Sequence, residues 1–134
     1  MRLLLDTHLL IWALAEPARL DAATRAVLED AGNEVLFSAA SLWEIAIKAG
    51  LGRPDFAVDP GQVLAAALET GFTELPVRAA ATLGVARLPP LHRDPFDRLL
   101  VAQAMAEPVR LYTADPLLPP YSELVTLVSR MAVT

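Results

Sequence analysis

Arg2-Leu3-Leu4-Leu5-Asp6-Thr7 is an apolar run too short for a helix, ended by a carboxylate and a hydroxyl. Such a run reads as a buried strand, and Asp6-Thr7 as its exit into a helix cap. The pattern recurs along the chain. Val35-Leu36-Phe37-Ser38, Phe72 to Leu75, Val109 to Tyr112 and Leu124 to Val128 are further short apolar runs. Between them lie segments with helical spacing and recognisable ends. Leu9 to Leu14 stops before Pro17, and Asp21 to Ala31 has Gly32 as its C-cap. Ser41 to Ala49 is ended by Gly50 and Gly52, Gln62 to Thr70 is closed by Gly71, and Val77 to Ala86 and Asp94 to Glu107 complete the set. Arg53 to Pro60 reads as a loop, and Leu88-Pro89-Pro90-Leu91-His92-Arg93 as an exposed active-site loop. Short apolar strands alternating with helices predict an α/β fold: a single three-layer α/β/α domain over residues 1–134, with a mainly parallel central sheet covered on both faces.

Bulk composition narrows the function classes. At 134 residues, 54% apolar and 20% charged, the chain is globular and not disordered. It has no cysteine, so it offers no disulfide framework, zinc–thiolate site or thiol nucleophile. The amino terminus loosely suggests a signal peptide, with Ala13-Leu14-Ala15 as a cleavage site, but Asp6 and His8 interrupt its apolar core. No stretch approaches the ~18 apolar residues of a membrane span. The expectation is a soluble, unprocessed, cytoplasmic protein with no membrane partner. A net charge of −5 argues mildly against nucleic-acid binding. Four clustered carboxylates holding divalent ions would remove most of that argument.

Asp6, Glu44, Asp97 and Asp115 each lie where an apolar run meets a turn or a helix start. A carboxylate near buried apolar surface is costly unless its charge is compensated. Each has a local explanation. Ser41-Leu42-Trp43-Glu44 matches a capping box. Asp94 is an N-cap with Pro95 at the first helical position, and Asp97, three residues on, is favoured by the helix dipole. Asp115 precedes Pro116 and suits a turn, and Asp6 suits a cap. Capping does not require all four to gather at the rim of one sheet, where ligands of open parallel sheets bind. If they gather, a divalent cation is the natural compensation, and a hard oxygen donor set without a Cys or His cluster suits Mg²⁺ or Mn²⁺.

Leu3-Leu4-Leu5-Asp6-Thr7-His8, Ser41-Leu42-Trp43-Glu44-Ile45-Ala46-Ile47-Lys48, His92-Arg93-Asp94-Pro95-Phe96-Asp97-Arg98-Leu99-Leu100-Val101-Ala102-Gln103-Ala104 and Leu111-Tyr112-Thr113-Ala114-Asp115 together resemble the PIN-domain ribonucleases, and more closely the VapC-like toxins of bacterial toxin–antitoxin pairs. The resemblance spans nearly the whole chain in order and spacing. The segment from His92 to Ala104 is specific, whereas an isolated L-L-D-T is not. The resemblance implies a PIN-like fold and a metal-dependent endoribonuclease that hydrolyses RNA phosphodiesters. It matches Asp6, Glu44, Asp97 and Asp115 to four acidic positions that bind Mg²⁺ or Mn²⁺, and Thr113 to the hydroxyl position beside the last acid. Asp6 and Asp97 would bind directly, Glu44 directly or through water, and Asp115 is the position where the family varies. Asp94 is assigned to capping. The resemblance further implies a cognate antitoxin that inserts a segment into the acidic groove, and a homodimer. The alternative readings are a PIN-like protein-binding module without nuclease activity and a strand-end Asp phosphatase. The latter needs an Asp two residues after Asp6, where His8 stands.

His92, Arg93 and Arg98 flank the acidic helix start and are candidates for RNA phosphate contacts, with ion pairing to nearby acids as the competing role of the two arginines. His8 reads as a capping or packing residue, and Lys48 as a partner of a phosphate or an acid. Trp12 and Trp43 fall on apolar helical faces and read as core or interface residues, not base-stacking platforms. The Ala- and Leu-rich helices carry more apolar surface than a small monomer needs, in keeping with a dimer or a bound partner.

Overall fold

Leu3, Leu4 and Leu5 have no exposed surface, because β1 (Arg2–Leu5) is the middle strand of a five-stranded sheet. The computed structural model describes residues 1–52 and 58–129, so most of the loop expected at Arg53 to Pro60 lies outside the described residues. The other strands are β2 (Glu34–Ser38), β3 (Thr73–Leu75), β4 (Arg110–Thr113) and β5 (Val125–Leu127). Their order is β3-β2-β1-β4-β5, and all four pairings are parallel. Leu4 pairs with Leu36 on one side and Leu111 on the other, which fixes the register at the centre.

The helices are α1 (Thr7–Ala15), α2 (Ala22–Glu29), α3 (Ala39–Gly50), α4 (Pro60–Thr70), α5 (Ala79–Val85) and α6 (Pro95–Ala106). Successive strand residues point to opposite faces, and two cores result. Leu3 and Leu5 join Leu9, Leu10 and Trp12 of α1, Ile45 of α3 and Val63 and Ala67 of α4. Leu4 joins Leu100, Val101 and Ala104 of α6 on the other face. This is the three-layer α/β/α arrangement that the alternating pattern predicted. Among the described residues, no helix is long and apolar enough to cross a membrane.

Strand order reverses between β1 and β4, the switch point where an open parallel sheet leaves a crevice beyond its carboxyl ends. Asp6 directly follows β1, and Asp115 follows β4 after one residue, Ala114. A buried polar tie sets the helices around the crevice: Ser38 Oγ, at the end of β2, lies 2.5 Å from Gln103 Oε1 of α6, and Gln103 Nε2 donates to the Pro76 carbonyl at 3.3 Å. This tie links the root of α3 to α6, the two helices that carry Glu44 and Asp97.

Two local expectations change. The Ser41–Glu44 capping box does not form. The Ser38 side chain caps α3 by accepting from Ala40 N at 3.0 Å, so the helix starts two residues earlier than expected and Glu44 lies inside it. α2 ends at Glu29 with Asp30 extended, and Gly32 donates its N–H to the Asp30 side chain instead of closing the helix. Of the two tryptophans read as core or interface residues, Trp12 is buried in the first core, and Trp43 is 60% exposed with its ring T-shaped to Phe96 at 5.1 Å between centroids. By contrast, Gly71 takes the left-handed conformation its helix-closing position predicted, with φ +96°.

Candidate metal centre

Asp6 caps α1 and faces the crevice with the same carboxylate. Its Oδ1 accepts from Leu9 N at 2.8 Å and its Oδ2 from the Thr113 hydroxyl at 2.6 Å. The group is buried, and desolvation pushes its carboxyl up despite those two bonds. The Thr113 Oγ1 also accepts from Asp115 N at 3.0 Å, so one hydroxyl at the end of β4 joins the acids that follow β1 and β4.

Asp97 occupies the first turn of α6. Asp94 caps that turn, its Oδ1 accepting from Phe96 N at 2.8 Å and from Asp97 N at 3.3 Å. Burial, followed by the charges of Asp94, Asp6 and Glu44, pushes the Asp97 carboxyl up to about 7, with His92 pulling the other way. Asp115 Oδ1 accepts from Leu117 N at 2.9 Å, and Oδ2 lies 2.8 Å from His92 Nε2. Burial is the largest single influence on Asp115 and raises it. The bonds from Leu117 and His92 and the nearby imidazoles of His92 and His8 together outweigh it and hold the carboxyl below its ordinary value.

Glu44 stands behind these three. It is 2% exposed, with Oε1 accepting from the Thr7 hydroxyl at 2.7 Å and Oε2 from Lys48 Nζ at 2.6 Å. Thr7 Oγ1 also lies 2.9 Å from Ser41 Oγ. The charge of Glu44 nevertheless reaches Asp6 and Asp97, raising both.

The structure therefore places Asp6, Asp97 and Asp115 on one cleft of about 280 Å³, lined also by His8, Trp12, Ala114 and Pro116. Thr113 is fully buried beneath it. His8 is exposed on the cleft wall, its ring 6.0 Å from Trp12. Arg93 is exposed beside the cap of α6. Arg98 faces elsewhere: its Nη2 donates to the carbonyls of Val85 and Leu88, at 3.3 and 3.2 Å. His92 contacts Asp115 and, at 3.4 Å, Asp97.

From sequence, Thr7 and Ser41 have capping roles only, and Tyr121 is not singled out. Thr7 carried a signal as the residue after a strand-end acid, and the Glu44–Lys48 pair had one in its i,i+4 spacing. Tyr121 had none, since its hydroxyl meets the backbone N–H groups of Leu91 and His92 some 30 residues away in sequence, at 3.1 and 2.8 Å.

The chemistry of the donor set suits a hard divalent cation. Three carboxylates converge on the cleft, and among the described residues no lysine or arginine pairs with any of them. Burial, and after it the charges of Asp94, Asp6 and Glu44, raise the Asp97 carboxyl, a cost that a bound cation would offset. Asp97 and Asp115 offer oxygens within 4.8 Å of each other and of the His92 ring, and Asp6 lines the same cleft with its carboxylate fixed by the Thr113 hydroxyl.

Comparison with known proteins agrees with this architecture. No curated protein sequence matches the chain significantly. Among solved structures, VapBC2 from Rickettsia felis, crystallised with a DNA fragment from its promoter, is similar with a TM-score of 0.69 and 16% identity, covering 96% of this chain and 100% of that one. VapBC-1 from nontypeable Haemophilus influenzae gives a TM-score of 0.59 at 17% identity, covering 90% and 92%. FitAcB from Neisseria gonorrhoeae gives 0.52 at 22% identity, covering 84% and 87%. At these identities the likeness is one of fold. The family profile described as "PIN domain" matches residues 3–119, from β1 past the acid that follows β4. The chain belongs to the PIN-domain family.

Proposed function

We propose that the protein is an endoribonuclease that hydrolyses RNA phosphodiester bonds with Mg²⁺ or Mn²⁺, and that it is the toxin of a toxin–antitoxin pair. The observation that carries this reading is the convergence of Asp6, Asp97 and Asp115 on one cleft at the switch point of a parallel sheet, where among the described residues no lysine or arginine pairs with them.

In this reading Asp6, Asp97 and Asp115 hold the ion, with Glu44 supporting them. When bound, the ion supplies a water of lowered pKa and a Lewis-acid hold on the phosphate. The chain's own groups prepare the cleft. Thr113 locks Asp6 and positions the Asp115 backbone. Thr7 and Lys48 hold Glu44 at fixed orientation beside the cleft. Asp97, with its carboxyl near 7, is poised to give up its proton when positive charge arrives. Arg93, exposed at the cap of α6, takes an RNA phosphate, whereas Arg98 and His92 have hydrogen-bonding atoms committed to the protein itself.

The resemblance to VapC-like toxins, with the likeness of fold to VapBC2 and VapBC-1, supports a cognate antitoxin as partner. The exposed apolar face of Trp43, Ile47 and Leu51 supports a homodimer. The cytoplasm is the compartment where such a pair meets RNA. Purified protein freed of antitoxin should cleave RNA with Mg²⁺ or Mn²⁺ and stop with EDTA, and Asp6→Asn should abolish cleavage with the fold intact. Cleavage that survives both EDTA and Asp6→Asn sinks the reading. A folded protein that never cleaves RNA points to a protein-binding module.

A further inference from the structure

His92 is held at three points. Its backbone N–H, with that of Leu91, donates to the Tyr121 hydroxyl, which fastens the loop before α6 to the 3-10 turn at Pro119–Tyr121. Its Nδ1 lies 3.0 Å from the backbone N–H of Asp94. A peptide N–H only donates, so Nδ1 is the accepting nitrogen and the ring proton sits on Nε2. That Nε2–H meets Asp115 Oδ2 at 2.8 Å, with Asp97 Oδ2 at 3.4 Å.

His92 Nε2 and the nearest oxygens of Asp97 and Asp115 all fall within 4.8 Å of one another, which on distance alone makes the imidazole a third metal ligand. Its hydrogen bonds argue otherwise. A ligating imidazole must offer a bare nitrogen. Freeing Nε2 would move the proton to Nδ1, where it would confront the Asp94 N–H.

We propose that His92 is a positioning residue: it stays off the ion and holds Asp115 toward the cleft through Nε2–H···Oδ2, with Tyr121 as its anchor. This inference rests on the metal-dependent reading above. A ring N–H orients the carboxylate without placing a lysine- or arginine-like full charge beside the ion, whose binding such a charge would oppose.

The test uses the full-length protein. The chain has only two histidines, so ¹H–¹⁵N correlations of the imidazoles are assigned with a single variant, His8→Gln. His92 is expected in the Nε2–H form both metal-free and saturated with Mg²⁺. A switch to the Nδ1–H form with Mg²⁺, or exchange between tautomers in the metal-free protein, overturns the proposal. Mn²⁺ affinity, read by electron paramagnetic resonance, supplies a second measurement. His92→Ala should weaken it roughly 10–100-fold, the range for groups that orient ligands. His92→Gln places an amide N–H near the Nε2 position and should stay within about threefold of wild type, and Tyr121→Phe should fall between the two. An unchanged affinity in His92→Ala overturns the proposal, as does a loss in His92→Gln equal to that in His92→Ala. Wild-type protein that binds no Mn²⁺ overturns the metal-dependent reading itself, a different result from a wild type that binds while its His92 variants do not differ.

Discussion

Replacing Asp97 with Asn should stabilise the metal-free protein while abolishing its cleavage of RNA. The carboxyl ionises near 3.8 in an unfolded chain but at about 7 in the folded protein, where it is buried and faces Asp94, Asp6 and Glu44. Below about pH 4 it is protonated in both states, and its contribution to stability is fully present. As pH rises, the unfolded chain ionises first, so stability is lost progressively until the folded carboxyl also ionises near 7. At about 1.4 kcal/mol per unit of pKa, the gap corresponds to roughly 4 kcal/mol above pH 7 as an upper bound. The side chain retains 19% exposure on an open cleft, and solvent screening brings the expected value to about 1–3 kcal/mol. Asparagine keeps the shape and removes the charge. In EDTA at pH 8, Asp97→Asn should therefore melt about 3–10 °C above wild type. The advantage should shrink steadily toward pH 4, and Mg²⁺ should reverse the order at pH 8 by stabilising only the wild type. Thermal melts at pH 4.5, 6 and 8, with EDTA and with Mg²⁺, provide the assay. An advantage of equal size at every pH, or an Asn variant less stable than wild type at pH 8 in EDTA, would refute the argument that burial and neighbouring charge penalise the ionised carboxyl.

Two further substitutions separate the supporting groups from the acids. Thr113→Val deletes the bond to Asp6 Oδ2 and the acceptor for Asp115 N, leaving buried groups unmet, and should cost about 1–3 kcal/mol in urea denaturation together with at least about tenfold in cleavage. Wild-type activity in this variant would show that Asp6 does not need its hydroxyl partner. Lys48→Met removes the cation from a carboxylate whose side chain is only 3% exposed. Because Lys48 itself is about one-third exposed, the loss should fall below the ~3–5 kcal/mol of a fully buried pair, at about 1–3 kcal/mol in urea denaturation. Unchanged stability would mean that Thr7 alone holds Glu44.

Much of this protein was legible from residues acting on their immediate neighbours. Leu3 to Leu5 announced a buried strand because the apolar run is too short for a helix and, as a strand, needs cover on both faces, which a parallel sheet between helices supplies. Asp94-Pro95 and Gly71 announced a helix start and a helix end because their backbone chemistry admits few alternatives. The acid-bearing segments carried the family, since their order and spacing are properties of the chain alone.

What only the tertiary structure decided were choices between local options of similar merit. Ser38 and Ser41 can each cap α3, and the end of β2 together with the tie to Gln103 selects Ser38. That choice releases Glu44 from a capping box and turns it toward Thr7 and Lys48. Arg98 and His92 looked alike as phosphate contacts. Packing of α5 against α6 gives Arg98 to the carbonyls of Val85 and Leu88, and the distant Tyr121 hydroxyl and Asp115 carboxylate take His92. The physical reason is the same in each case. A residue's own chemistry sets what it can bond, but the partner that reaches it across tens of residues of sequence sets what it does.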